Sequence, residues 1–184
     1  MNHPRINPLE KPYSEGIGTL LDKFPQGPDG PIALFRTLAH SERALKKVAQ
    51  SGLLDRESPI EMRDREIVIL RTCVRCHCPY EWGVHVHAFA KHVLLTPAQV
   101  DDSASTHIDP TIWSEKERIL IHWVDELVDD KSISDNLWNK ASKVFSTNQL
   151  MELILLVGFY HSIAFLNNTL RITQEPGTPH FVVT

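Results

Sequence analysis

Apolar residues recur along most of this chain at intervals of three and four, the spacing that lines one face of an α-helix. Ile32, Leu34, Phe35 and Leu38 open the pattern and predict a first helix. Ser41 is placed to cap a second, running from Glu42 to about Gln50, with Gly52 as its stop. A third is expected over residues 62–75, with Ile67, Leu70 and Val74 on one face and Pro79 ending it. A fourth follows over residues 80–94. Thr96-Pro97-Ala98-Gln99 and Ser114-Glu115-Lys116-Glu117 both read as capping boxes, in which hydroxyl and N3 side chain each bond the other residue's backbone N–H. The first opens a short helix and the second a longer one through Ile119, Leu120, Trp123 and Leu127. Ser134 precedes a helix carrying Leu137, Trp138, Ala141 and Phe145, and Thr147 is placed to cap a last one from 148 to about 171. No stretch shows convincing alternation of period two, so the expected class is all-α.

Ahead of this body, Pro4, Pro8, Pro12, Pro25 and Pro28 are interleaved with Gly16, Gly18, Gly27 and Gly30. Proline removes backbone donors and glycine adds chain entropy, so residues 1–30 read as an irregular arm. Ile17, Leu20, Leu21 and Phe24 suit a short helix docked from that arm onto the body, residues 31–184, for a single domain overall. The most apolar run, 150–166, contains Glu152, His161 and Ser162. Such groups are costly in a bilayer, so the run is expected to be a buried core helix and no membrane partner is expected.

Composition narrows the function further. Nineteen Lys+Arg against 23 Asp+Glu give a formal charge of −4, a poor match to a phosphate backbone, so nucleic acid is not an expected partner. Three cysteines in 184 residues cannot form a disulfide framework. They suit a reducing compartment, and with no apolar leader at the N-terminus the expected location is cytoplasmic.

Reactive side chains crowd one stretch: all three cysteines and four of the ten histidines lie between residues 73 and 92. Glu81 and His85 are four apart, so on a helix they share a face and can exchange a proton. Cys78 stands just before that helix, where the positive end of the dipole favours a thiolate. Glu66 lies on the preceding helix, and an antiparallel return can bring it beside His85. Its charged neighbours Arg63, Asp64 and Arg65 equally suit an exposed first turn. Cys73-Val74-Arg75-Cys76 spells C-x-x-C inside a helix, which favours two structural thiols over a redox pair. Zinc needs tetrahedral convergence, which two cysteines on helical turns and Cys78 at a turn do not promise, so no metal is expected.

Arg65-Glu66 followed by Cys78-Pro79-Tyr80-Glu81-Trp82-Gly83-Val84-His85 resembles the signature of the carboxymuconolactone decarboxylase / alkylhydroperoxidase D superfamily. The peroxidase branch of that superfamily carries Cys-x-x-Cys-x-x-x-His at the start of this helix, and Glu81 stands here at the position of its second cysteine. The decarboxylase branch carries Glu-x-x-x-His without cysteine, which Glu81 and His85 match. As a pattern the resemblance covers residues 34–181, including the segment around Val157-Gly158-Phe159-Tyr160-His161.

The resemblance implies an alkylhydroperoxidase D-like helical bundle built from helix hairpins. It also implies a homo-oligomer, a trimer or hexamer or else a dimer, with the site near a subunit interface. The expected function is carboxymuconolactone decarboxylase-like: cofactor-free decarboxylation or isomerisation of a small organic acid or lactone. Glu66, Glu81 and His85 form the proton relay and Cys78 lines the pocket. Arg71, Tyr80, Trp82 and His161 are candidate substrate contacts. The alternative is a thiol peroxidase of peroxiredoxin type with Cys78 as attacker, since a carboxylate at 81 cannot attack a peroxide. A third reading is an oligomeric binding protein without activity, because a fold does not fix a function.

Overall fold

Ten consecutive buried residues, Asp64 to Cys73, make the helix α4 (Met62–Arg75) the centre of the molecule. Helices buried all round sit in the middle of a core, and α4 packs against α5 (Pro79–Phe89), α7 (Glu115–Asp130) and α9 (Thr147–Leu170). The computed structural model describes residues 3–51, 53 and 57–182. Around the central four lie α1 (Glu15–Leu21), α2 (Ala33–Leu38), α3 (Glu42–Ala49), α6 (Pro97–Ser103) and α8 (Asp135–Ala141). The architecture is all-α, as the periodicity predicts. Gly52, the expected stop of α3, lies outside the described residues.

The capping chemistry read from the sequence is present. Thr96 and Ser114 form full capping boxes with Gln99 and Glu117, and Ser41 and Ser134 accept from the backbones of Ala44 and Leu137. Four boundaries differ from expectation. The arm contains not only α1 but a two-residue antiparallel ribbon, Gln26–Gly27 against Gly30–Pro31, too short to show an alternating pattern. The last helix is capped by Ser146 rather than Thr147, again in a capping box, with Gln149. The fourth helix stops at Phe89 instead of continuing to 94, and its following turn closes with Leu94 at φ 56. The charged run Arg63–Arg65 is not an exposed first turn. Asp64 and Arg65 are buried, and Arg63 bonds Glu117, Gln99 and the Val93 carbonyl.

Apolar burial forms two clusters. The larger joins α4 to α7, α8 and α9 through Leu70, Leu120, Leu137, Leu153 and Leu156. Each such side chain contributes about 1.5–3 kcal/mol when fully buried. The smaller gathers Ile17, Leu21, Leu34, Leu38 and Leu45 from α1–α3 around Tyr80 and Ile163. The helix α9 is long and apolar enough to cross a bilayer by length and composition alone. Here it packs one face into the core, while Met151, Leu155 and Phe165 on the other remain exposed, so the expectation of a buried core helix holds for one side only.

The chain after α9 runs back over α5. A Cβ at Gly83 would lie 2.0 Å from the Pro179 carbonyl oxygen, so only glycine admits this approach. Glu175 then clasps the body, its Oε1 accepting from the Ala33 N–H at 2.5 Å and from the Tyr80 hydroxyl at 2.6 Å.

Candidate active site

The hairpin between α4 and α5 sets the site. α4 ends in a Schellman turn: the His77 N–H bonds the Val74 carbonyl and the Cys78 N–H bonds the Cys73 carbonyl, with His77 left-handed at φ 51. Cys78 is the N-cap of α5 and Pro79 its first helical residue, where a missing N–H costs nothing. Glu66 lies seven residues before Cys73 and His85 seven after Cys78, so the return sets them side by side. His85 Nδ1 is 2.6 Å from Glu66 Oε2.

The other ring nitrogen faces two further groups. His85 Nε2 lies 2.9 Å from the Tyr160 hydroxyl and 3.6 Å from Glu81 Oε1. Both carboxylates are held in turn. Arg65 Nε donates to Glu66 Oε1 at 3.3 Å, and Asn167 Nδ2 donates to Glu81 Oε2 at 3.2 Å and to the Ile163 carbonyl at 3.1 Å. Glu66, Glu81, His85, Tyr160 and Asn167 are all buried. Burial penalises a charged imidazole and pulls the His85 pKa down. The Glu66 carboxylate opposes this by charge and hydrogen bond, and Glu81 adds to it, so His85 is raised from 6.5 to about 9. At neutral pH the site therefore holds an imidazolium between two carboxylates. Burial pushes the Tyr160 phenol well above its ordinary value, and the two carboxylates push it further, so it stays protonated.

A cavity of about 450 Å³ opens over this group. Glu81, His85 and Tyr160 line it, while Glu66 lies behind His85 and outside it. On α5 the lining residues are Glu81, Val84, His85, Ala88 and Phe89, the i, i+3, i+4, i+7, i+8 face of one helix. The opposite wall comes from the arm and α2–α3, through Phe24, Ile32, Leu34, Phe35 and Val48. Phe24 and Phe35 stack there with ring centroids 3.9 Å apart.

The three members of the expected proton relay thus come together, but the other candidates lie elsewhere. Cys78 is fully buried and does not line the cavity. Burial raises its thiol to about 12, with the Glu81 backbone N–H offsetting only part. The dipole at the helix start is outweighed by loss of solvent, so the expected thiolate is not favoured. All three thiols are free; burial also raises Cys73 well above its ordinary value and Cys76 to about 11. Arg71 is five residues past Glu66, about 140° around the helix. It faces α7, where it forks onto both Asp125 carboxylate oxygens at 2.7 and 3.0 Å and bonds the Ser105 carbonyl. Tyr80 and Trp82 flank Glu81 in sequence and so point to either side of it. Tyr80 bonds Leu34 and Glu175, and Trp82 donates to Ser103 in the core. His161 sits against Phe165 outside the cavity, and its neighbour Tyr160 takes the place expected of it.

Tyr160 and Asn167 are site residues that the sequence did not single out as candidates. A signal existed: both fall in phase with Leu153, Leu156 and Ile163 on the buried stripe of α9, where polar side chains need partners.

No family model matches the chain, and no curated protein matches it. Solved structures do. A protein of unknown function from Agrobacterium tumefaciens, provisionally assigned to antioxidant defence as AhpD, superposes with a TM-score of 0.66 at 20% identity, over 73% of this chain and 92% of its own. An uncharacterized peroxidase-related protein from Silicibacter sp. TM1040 superposes with a TM-score of 0.70 at 12% identity, over 80% of this chain and 78% of its own. The likeness is one of fold: this chain is an AhpD-like helical protein in architecture.

Proposed function

We propose that this chain, built on the AhpD-like fold, is a cofactor-free acid–base enzyme that moves a proton on a small organic acid or lactone. The observation that carries this reading is the single imidazole gripped by Glu66 and Glu81 on the floor of a sheltered cavity. A raised His85 is a proton donor at neutral pH, which leaves Glu81, the carboxylate facing the cavity, as the base. In an isomerisation Glu81 removes a proton from carbon beside a carbonyl. The C–H electron pair moves onto the carbonyl oxygen, which is met by the Tyr160 hydroxyl or the imidazolium. Collapse of that enol, with the proton delivered to a different carbon, completes the shift. In a decarboxylation the electron pair left by departing carbon dioxide takes its proton from the same donor. Glu66 touches no substrate; it is a positioning residue that fixes the ring and sustains its charge. Asn167 does the same for Glu81.

The test is proton exchange in deuterium oxide, followed by NMR on a panel of β-keto acids, enones and unsaturated lactones. Deuterium incorporation at carbon is expected with the wild type and with Cys78→Ser. It is expected to be lost in Glu81→Gln and His85→Ala. The peroxidase-related fold neighbour supports a second reading, hydroperoxide reduction through Cys78. That reading requires Cys78→Ser to abolish peroxide consumption and a sulfenic acid to be trapped on Cys78. A homo-oligomer is also proposed, supported by the exposed apolar side chains Met151, Leu155 and Phe165 along α9.

A further inference from the structure

The cavity wall is far more apolar than a pocket for a small polar acid needs to be. Phe24, Phe35, Phe89 and Phe159 contribute four aromatic rings, and Ile32, Leu34, Val48, Val84 and Ile163 fill most of the space between them. About 450 Å³ is room for a ring system or a folded chain, not just for a few polar atoms. Charge is confined to two places. On the floor, the Glu81 carboxylate already faces the His85 imidazolium, so an anion placed there would meet no unanswered cation. Among the described residues no arginine lines the cavity, and on α4 Arg63 is committed to Glu117, Arg65 to Glu66 and Arg71 to Asp125. Burying a carboxylate without a partner is strongly unfavourable. The remaining cation that lines the cavity is Lys23, which is exposed and whose ammonium forms no ion pair among the described residues. An exposed residue that lines a cavity stands at its mouth.

We infer that the substrate is an apolar acid: a hydrophobic ring or chain body with a single anionic group, seated with that group at Lys23 and its uncharged reacting end against Glu81, His85 and Tyr160. This rests on the proton-transfer reading of the same floor and narrows it to isomerisation: small dicarboxylates are excluded, and so is decarboxylation, since the one anionic group is held at Lys23 and not at the reacting end. Two anions would need two cations, and the cavity offers one beyond the imidazolium that Glu81 already occupies.

The test uses 1-anilinonaphthalene-8-sulfonate, a ring compound with one negative charge, as a fluorescent probe of the full-length protein. Saturable binding at one site per chain is expected. It should be displaced by 2-naphthoate and not by the muconate dianion. Lys23→Glu, at an exposed position, should weaken binding about five-fold or more. Ala88→Trp, which fills the cavity from the same face of α5 one turn past His85, should abolish it. The competition between naphthoate and muconate stands whether or not that variant folds. Displacement by muconate as effective as by naphthoate, unchanged affinity in Lys23→Glu, or full binding by a folded Ala88→Trp would each overturn the inference. Failure here is separable from failure of the acid–base reading. Exchange into a dicarboxylate that depends on Glu81 and His85 would refute the apolar acid and keep the proton transfer. Naphthoate bound as expected, with no exchange into any bound carbon acid, would do the reverse.

Discussion

Replacing Glu66 by Gln keeps the size and shape of the side chain and removes its charge, and the consequence can be worked out in advance. Raising His85 from 6.5 to about 9 corresponds to roughly 3 kcal/mol of preference for the imidazolium in the folded protein. Glu66 is the leading source of that rise, opposing a burial penalty that stays behind when it is removed. An opposite charge at contact distance moves a pKa by about 1 to 3. His85 in Glu66→Gln should therefore fall toward or below its ordinary value. The sign follows from linkage. The folded pKa lies above the unfolded one, so the stabilisation is fully present below pH 6.5 and is lost as pH rises through about 9. From pH 6.5 to 8 the wild type should lose on the order of 1–2 kcal/mol of unfolding free energy through this residue, and Glu66→Gln clearly less. The window stops at pH 8 because the three thiols begin to titrate in the unfolded chain near 8.5. The ring is faced by Glu66, Glu81 and Tyr160, with Arg65 behind Glu66, and only Glu66 changes between the two proteins. Urea unfolding at half-unit pH steps and one protein concentration gives both slopes. Parallel slopes would refute the reasoning, since the Glu66 carboxylate would then not be what holds the proton.

Other expectations are simpler. N-ethylmaleimide at pH 8 should modify Cys76, which is half-buried, before Cys73 or Cys78, as peptide mass spectrometry would show; rapid labelling of Cys78 would restore the thiol mechanism. Arg71→Met should cost about 2–3 kcal/mol in denaturant unfolding, because it strands a partly shielded Asp125 and two carbonyls, while probe binding in the cavity is unchanged. Leu155→Glu should lower the mass seen by light scattering if copies pack through this face of α9, and an unchanged mass would remove that surface from the interface.

Local chemistry explains what could be read ahead of the structure. The bounds of α4 follow from its apolar spacing and the proline beyond it, and Thr96 and Ser114 announced their helices because a capping box is complete within four residues. The pairing of Glu66 with His85 was also legible, since a hairpin of two helices fixes which residues meet. What escaped depends on contacts distant in sequence. Arg71 is a plausible substrate anchor until Asp125, 54 residues later, is seen to take it. Tyr160 meets His85 across 75 residues and Asn167 meets Glu81 across 86, and no local pattern sets those distances. Cys78 misled for a related reason. Its position before α5 suggests an activated thiol, but activation also needs solvent or a cation, and packing of α4 against α5 supplies neither.

The central claim is a charged imidazole held between two carboxylates beneath a cavity. It is tested most directly by following the ring nitrogens of His85 by NMR from pH 5 to 10 in the wild type. The account predicts an imidazolium that persists through neutrality and deprotonates near pH 9. A ring already neutral at pH 7 would contradict it.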